Sequence, residues 1–311
     1  MSRIAVVDVG TNTTRLLVAD VESGRVHELD RQSEVTRLGE GVDASGRLSD
    51  AAAGRVLGVL ADYRARMDRL DVQRRVGVAT SAVRDAANGD ELLARLRDDF
   101  GIHTRTITGE EEARLTFLGA TSGRARGGGP VLVVDIGGGS TEFVVGEPGA
   151  EPSFHASTRA GSVRQTERHI RADPPPPDQV ADVADEVRTI IANDVPADVR
   201  GAVERGIAVA GTATSLAAID QELDQREPGK VDGYQLELGA CERMLALLAE
   251  LPLERRRRVR GLHPDRAPTI VAGAVILIEA MRACGLEVVE TSEADILHGV
   301  ALAETTANSA N

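Results

Sequence analysis

Tryptophan is absent and aromatic residues make up only 2% of the chain, so no core here is built on large rings. Valine, leucine, isoleucine and alanine must fill the interior instead. Cysteine is almost as scarce. Cys241 and Cys284 sit in apolar surroundings without metal-ligand spacing, which excludes a disulfide framework and a thiolate metal site. They read as buried thiols in a reducing compartment. No apolar stretch is long enough to span a bilayer, the longest running from Ile270 to Ile278. The chain enters a strand by Ile4 with neither a charged leader nor an apolar segment before it. No signal peptide is therefore expected, and the expected location is the cytoplasm. Lysine is missing but for Lys230; every other one of the 36 basic residues is arginine. Genome base composition explains that bias most simply, although the planar arginine fork suits phosphate oxygens. A net charge of −13 argues against nucleic acid or a membrane surface as partner.

What is present is a chain of 311 residues, 42% hydrophobic and 27% charged, the profile of a globular protein with room for two domains. One phrase occurs in it twice. Val6-Val7-Asp8-Val9-Gly10-Thr11-Asn12-Thr13-Thr14 runs into Leu16-Leu17-Val18, and Val133-Val134-Asp135-Ile136-Gly137-Gly138-Gly139-Ser140-Thr141-Glu142 runs into Phe143-Val144-Val145. Asp8 aligns with Asp135, Gly10 with Gly137, Thr13 with Ser140 and Thr14 with Thr141. Each copy reads as a buried strand ending in a carboxylate, a tight polar turn and a second strand.

Around the first copy, strands are expected near Ile4–Asp8, Arg15–Asp20, Val26–Val35, Arg75–Ala79 and His103–Ile107. Ser49 caps a helix carrying Val56, Leu57, Leu60 and Met67; a second, opened by Asn88 or Asp90, stops near Gly101. Gly109 precedes Glu110-Glu111-Glu112, three carboxylates in a first helical turn, where the dipole favours them. Ser122 to Pro130 is the best domain boundary, dividing the chain into lobes 1–124 and 125–311. Pro174–Pro177 leads into a helix from Asp178. The run Ile207–Ala210 ends in a third polar turn, Gly211-Thr212-Ala213-Thr214-Ser215. A strand at Val288–Glu290 and a helix from about Ala294 to Thr305 follow, and Ala307–Asn311 is expected to be disordered. The pattern is that of two α/β lobes meeting at a cleft, with ligands at the strand ends.

The candidate chemistry lies in the turns. One Gly-rich turn alone reads as an ordinary hairpin, but two in register, each beside an Asp, suit phosphate held by backbone N–H groups and hydroxyls. Asp8 and Asp135 either hold a hard cation such as Mg²⁺ or bond their own turns, and Glu142 either joins them or is a solvated strand residue. Gly211-Thr212 reads equally as site or scaffold. Thr80, Ser81 and Arg84 place hydroxyls and a cation just past a strand, and Arg15 lies beside the first turn. The run Arg255–Arg258 reads as a solvated helix face.

In this order, DVGTNTTRLLV, VATSAVRDA, ITGEEEARLTFLGA, VVDIGGGSTEFVVG, VAGTATSLAA and PDRAPTIVAGAVIL resemble the exopolyphosphatase and guanosine pentaphosphate phosphohydrolase family, from Ile4 to about Ala303. The resemblance implies two ribonuclease-H-like lobes of the actin-like, sugar-kinase and Hsp70 ATPase superfamily, each a mixed sheet flanked by helices. It implies hydrolysis of a terminal phosphoanhydride, with Glu112 as catalytic base. Mg²⁺ falls to Asp135 and Glu142, and to Asp8 by repeat symmetry. Phosphates fall to Gly10, Thr11, Asn12 and Thr13, to Gly137, Gly138, Gly139, Ser140 and Thr141, to Gly211 and Thr212, and to Thr80 and Arg84. Arg15 and Arg266 correspond to residues that touch a guanosine nucleotide in some members. A homodimer is a family expectation. Many members carry a helical C-terminal extension that this chain lacks, so short polyphosphate is the expected substrate. Guanosine pentaphosphate is the alternative, and a non-catalytic polyphosphate or alarmone sensor the rival from another class.

Overall fold

The computed structural model describes residues 2–124, 127–224 and 229–309. The chain divides into two compact units, the first comprising residues 1–124 and 295–311, the second residues 125–294. The expected linker Ser122–Pro130 coincides with the first crossing, though its Ala125 and Arg126 lie outside the described residues.

The first unit is built on β1 (Ser2–Val9), β2 (Thr13–Glu22), β3 (Arg25–Val35), β4 (Arg74–Ala79) and β5 (His103–Thr106), in the order β3-β2-β1-β4-β5. The first three strands form an antiparallel meander, and β4 and β5 add in parallel on the other side of β1. β1 is buried on both faces from Ile4 to Val9, which is why it reads as a continuous apolar run. The helices Asp50–Arg69 and Gly89–Phe100 cover one face. The Ser49 hydroxyl accepts the Ala52 N–H to start the former, and Gly101, at φ 68°, closes the latter.

The second unit repeats the plan with β6 (Val131–Ile136), β7 (Thr141–Gly146), β8 (Phe154–Thr158), β9 (Arg205–Val209), β10 (Gln235–Glu237) and β11 (Val288–Thr291). Its order is β10-β11-β9-β6-β7-β8, so β8-β7-β6-β9-β11 retraces the first sheet and β10 adds an antiparallel edge. The helices Pro177–Asp194, Leu238–Glu250 and Ile270–Ala283 pack its aliphatic core. The short strands β8 and β10 were not expected; three to five residues of mixed polarity give too little alternation to read.

The C-terminal helix departs from expectation. It runs Ile296–Ser309, past the expected end, and it belongs to the first unit rather than to a lobe spanning 125–311. Only Ala310 and Asn311 of the expected disordered tail lie outside the described residues. Ile296, Leu297, Val300, Ala301 and Leu302 cover the second face of the first sheet, on Ile4, Val6, Leu17 and Ala19. The helix also crosses the helix Gly109–Thr121 at near backbone contact. A Cβ on Gly119 would lie 1.9 Å from the Asp295 carbonyl oxygen, and one on Gly299 would lie 1.8 Å from that of Leu115. Among the described residues, no helix is long and apolar enough to cross a membrane.

Candidate functional site

The repeated phrase folds as two hairpins in the same register. Gly10 N–H donates to the Thr13 carbonyl at 3.0 Å, and Gly137 N–H to that of Ser140 at 3.0 Å. In the second copy the carbonyls of the glycine turn are all taken up from one side. Ser162 N–H donates to Gly137 O at 2.9 Å, Val163 N–H to Gly138 O at 2.8 Å, and Arg164 Nε to Gly139 O at 2.9 Å. These donors head the helix Ser162–His169, and Gly161 just before it lies so close that a Cβ would come 2.3 Å from Gly138 O. With the carbonyls fixed, the N–H groups of Gly138 and Gly139 meet no protein acceptor among the described residues. Unpartnered N–H groups at a turn can take an anion.

A short segment clamps the first turn in the same way. The Asn12 carbonyl accepts Thr36 and Arg37 N–H, both at 3.0 Å, and the Thr11 carbonyl accepts Gly39 N–H at 2.8 Å. Thr11 Oγ1 lies 2.8 Å from Ser81 Oγ, and Thr80 N–H reaches the Val9 carbonyl at 3.3 Å. The turn and the β4 exit are thus one assembly, holding Gly10, Thr11, Asn12, Thr13, Thr80 and Ser81. Thr141 stands apart from the expected phosphate ligands. Fully buried, its hydroxyl donates to the Ala160 carbonyl at 2.5 Å and ties β7 to the segment after β8. Thr14, its counterpart, is turned inward onto Thr36 at 3.0 Å.

The copies differ at one cross-strand position. Asp135 faces Glu142 across β6 and β7, whereas Asp8 faces Arg15 across β1 and β2. Asp135 and Glu142 are 6% and 1% exposed, and Ser157 Oγ donates to Glu142 Oε1 at 2.9 Å. Two buried carboxylates side by side favour a cation between them. Asp8 instead accepts Arg15 Nε at 2.8 Å on Oδ2, while its Oδ1 is buried without a hydrogen-bond partner. Burial pushes the Asp8 carboxyl up in spite of Arg15, and Asp295 adds to the rise. Among the described residues no three His, Cys, Asp or Glu side chains cluster to hold a metal. Mg²⁺ does not need three, since one or two carboxylates with water and substrate oxygens suffice. The Asp135–Glu142 pair of the second unit fits it; in the first unit, Asp8 keeps one buried oxygen without a partner.

Arg15 was expected at a nucleotide. Its guanidinium bridges Asp8 and Asp295, the latter at 2.5 Å, and Arg31 reaches Asp295 from β3 at 3.0 Å. Burial alone would raise the Asp295 carboxyl, but Arg15 and Arg31, with His298, hold it down at about 2.

Glu112 stands in the first turn of the helix Gly109–Thr121, whose cap Thr108 accepts the Glu111 N–H at 3.1 Å. It is 8% exposed, and Arg84 NH1 approaches its Oε2 at 3.3 Å while donating to the Ile107 carbonyl at 2.8 Å. The structure therefore brings together two residues chosen from separate motifs. Glu111 pairs outward with Arg105, as a dipole-complementing residue would. In the second unit, Gly211 and Arg266 also meet. Arg266 lies so close over Gly211 that a Cβ there would fall 1.5 Å from its NH1, and the strand-to-helix turn bends at Ala210, with φ 62°. Thr212 is buried beside Gly273.

Sequence reasoning missed Gly161, Ser162, Arg164 and Asp295. The first three follow a strand that was not itself foreseen, and Asp295 fell within the helix expected from about Ala294. Arg256 corrects the reading of Arg255–Arg258 as a solvated face. It is 3% exposed and its guanidinium serves the carbonyls of Leu248, Leu251 and Ala267.

Comparison with known proteins agrees with this geometry. The model of the Ppx/GppA phosphatase family matches residues 17–307. Exopolyphosphatase 2 of Mycobacterium tuberculosis is 35% identical over 97% of this chain and 98% of its own, and exopolyphosphatase 1 of Mycobacterium bovis is 31% identical over 93% and 84%. Among solved structures, an exopolyphosphatase-like protein superposes with a TM-score of 0.90 at 31% identity, covering 98% of this chain and 99% of that one. The Aquifex aeolicus member of the Ppx/GppA family does so with 0.82 at 29% identity, covering 99% and 98%. Two mixed sheets of matching order, a doubled glycine-and-hydroxyl turn and a family match over most of the length agree: the chain belongs to the Ppx/GppA phosphatase family.

Proposed function

We propose that this chain is a Mg²⁺-dependent exopolyphosphatase that releases orthophosphate from the end of short inorganic polyphosphate. One observation carries the reading. The carbonyls of Gly137, Gly138 and Gly139 are all held by the Ser162–Arg164 backbone and side chain, so the N–H groups of Gly138 and Gly139 are left to an anion. Phosphate oxygens are the ligand such a turn takes.

The steps follow from the chain's own residues. Each turn offers backbone N–H groups and a hydroxyl, Ser140 in one and Thr13 in the other, to phosphate oxygens, and such donors stabilise the charge that develops there. Glu112, shielded from bulk water and oriented by Arg84, accepts a proton from the attacking water. The water oxygen bonds to the terminal phosphorus as the bridging P–O bond breaks. Orthophosphate departs, and the shortened chain carries the new terminal oxyanion. Mg²⁺, when bound at Asp135 and Glu142, supplies positive charge to the phosphoryl oxygens.

The alternative substrate, guanosine pentaphosphate, presents the same terminal bond. Arg15, the expected nucleotide contact, is engaged by Asp8 and Asp295, which favours the polymer. The test measures phosphate release from polyphosphate of defined length and from guanosine pentaphosphate, each with Mg²⁺ and with EDTA. Faster Mg²⁺-dependent release from polyphosphate supports the reading. Release from the nucleotide alone would replace it with the alternative, and tight binding without release with the sensor.

A further inference from the structure

Asp295 stands at a junction that the proposed chemistry does not by itself explain. Its Oδ2 receives both Arg15 and Arg31, at 2.5 and 3.0 Å, and its Oδ1 accepts the Leu297 N–H at 3.0 Å. The side chain is 2% exposed. Its backbone is fixed as tightly, because the Asp295 carbonyl rests against Gly119 on the helix that carries Glu112 in its first turn. On the other side, Arg15 places Nε on Asp8 Oδ2 at 2.8 Å, leaving Oδ1 of Asp8 buried and unpartnered. One carboxylate therefore links the helix of Glu112 to the first turn. At the matching cross-strand position of the second turn stands Glu142, an acid, so only the first turn carries a cation that has to be anchored.

We propose that Asp295 is a positioning residue: it holds Arg15 on Asp8 Oδ2 and so presents Asp8 Oδ1 to a cation or its bound water. The inference rests on the Mg²⁺-dependent reading above. Without the Asp295 charge, Arg15 is free to swing across both Asp8 oxygens and neutralise the carboxylate. A plain helix-capping role predicts something else. Asparagine caps helices as well as aspartate does, so Asp295→Asn keeps the cap and removes only the charge.

The experiment titrates Mg²⁺ alone, with no substrate, into the wild type, Asp295→Asn and Asp295→Glu, following heat and the shift in melting temperature. Loss of an outer partner of a metal ligand typically weakens the site about 10-fold or more. Asp295→Asn is expected to raise the half-saturating Mg²⁺ concentration by about 10-fold. Asp295→Glu, which keeps the charge on a longer stem, should fall between the two. It carries the test alone should Asp295→Asn not fold, and an unshifted value then overturns the assignment. A titration of Asp295→Asn that superimposes on wild type overturns it too, whatever happens to the melting temperature, and so does a wild type that takes up no Mg²⁺. Phosphate release is assayed in parallel. A wild type that binds Mg²⁺ but leaves polyphosphate intact sinks the functional reading, while the titration still decides the part played by Asp295.

Discussion

Burial pushes the carboxyls of aspartates 8 and 295 up alike, yet with one arginine shared between them their net shifts run in opposite directions. Asp295, with Arg15 and Arg31 on its oxygens, stays ionised down to about pH 2, against an ordinary value of 3.8. A depressed carboxyl stabilises the fold above the unfolded value and loses that contribution as pH falls through the folded one. The Asp295 contribution, about 2 kcal/mol, is therefore full above about pH 4 and gone near pH 2. Asp8 runs the other way. Its raised carboxyl makes ionisation costly in the folded state, so acid relieves part of what Asp295 loses. Urea unfolding of wild type and Asp295→Asn between pH 2 and 6 checks this. The stability gap should close as pH drops from about 4 to 2, and a constant gap contradicts the assignment. Arg256 offers a second test at this scale. Arg256→Leu strands three buried carbonyls and should cost about 3 kcal/mol or more, read as a lower urea midpoint.

The secondary elements that were legible in the sequence are those whose signals are local. Ser49 and Gly101 marked helix ends by their own chemistry, and both hairpins showed themselves through a strand, a carboxylate and a polar turn in register. What holds the hairpins in place was not legible. The Gly161–Arg164 clamp depends on a strand of five residues and on a glycine that matters only because another backbone lies against it. Periodicity likewise could not show that the Thr141 hydroxyl faces the Ala160 carbonyl and not a ligand. Gly161→Ala tests the clamp. The new methyl group would fall 2.2 to 2.5 Å from atoms of Gly138 and Gly139, and a backbone contact cannot turn away as a side chain can. The variant should lose about 3 kcal/mol of stability. Whatever folds should bind phosphate weakly, as read by calorimetry. Gly211→Ala should be milder in stability, since Arg266 can move, yet it should raise KM by displacing that guanidinium.

At the scale of the molecule, the duplicated sheet order shows one plan used twice, with an acid in the second copy where the first carries an arginine. The assignment of the C-terminal helix to the first unit was not legible, because an apolar stripe says that a helix is buried and not which sheet receives it. Its removal provides the test. A chain ending at Ala294 uncovers the apolar face that Ile296, Leu297, Val300, Ala301 and Leu302 close. At about 1.5–3 kcal/mol for each buried side chain, the loss matches the whole margin of about 5–15 kcal/mol. Circular dichroism and gel filtration should show an unfolded or aggregated first unit. A soluble truncation of unchanged helicity would contradict that packing. The central claim concerns the buried carboxylate at the head of the Gly109–Thr121 helix, and the measurement that reaches it most directly is the turnover of Glu112→Gln on polyphosphate with Mg²⁺. The account predicts unchanged polyphosphate binding with orthophosphate release reduced by about 10² or more; release near the wild-type rate would contradict it.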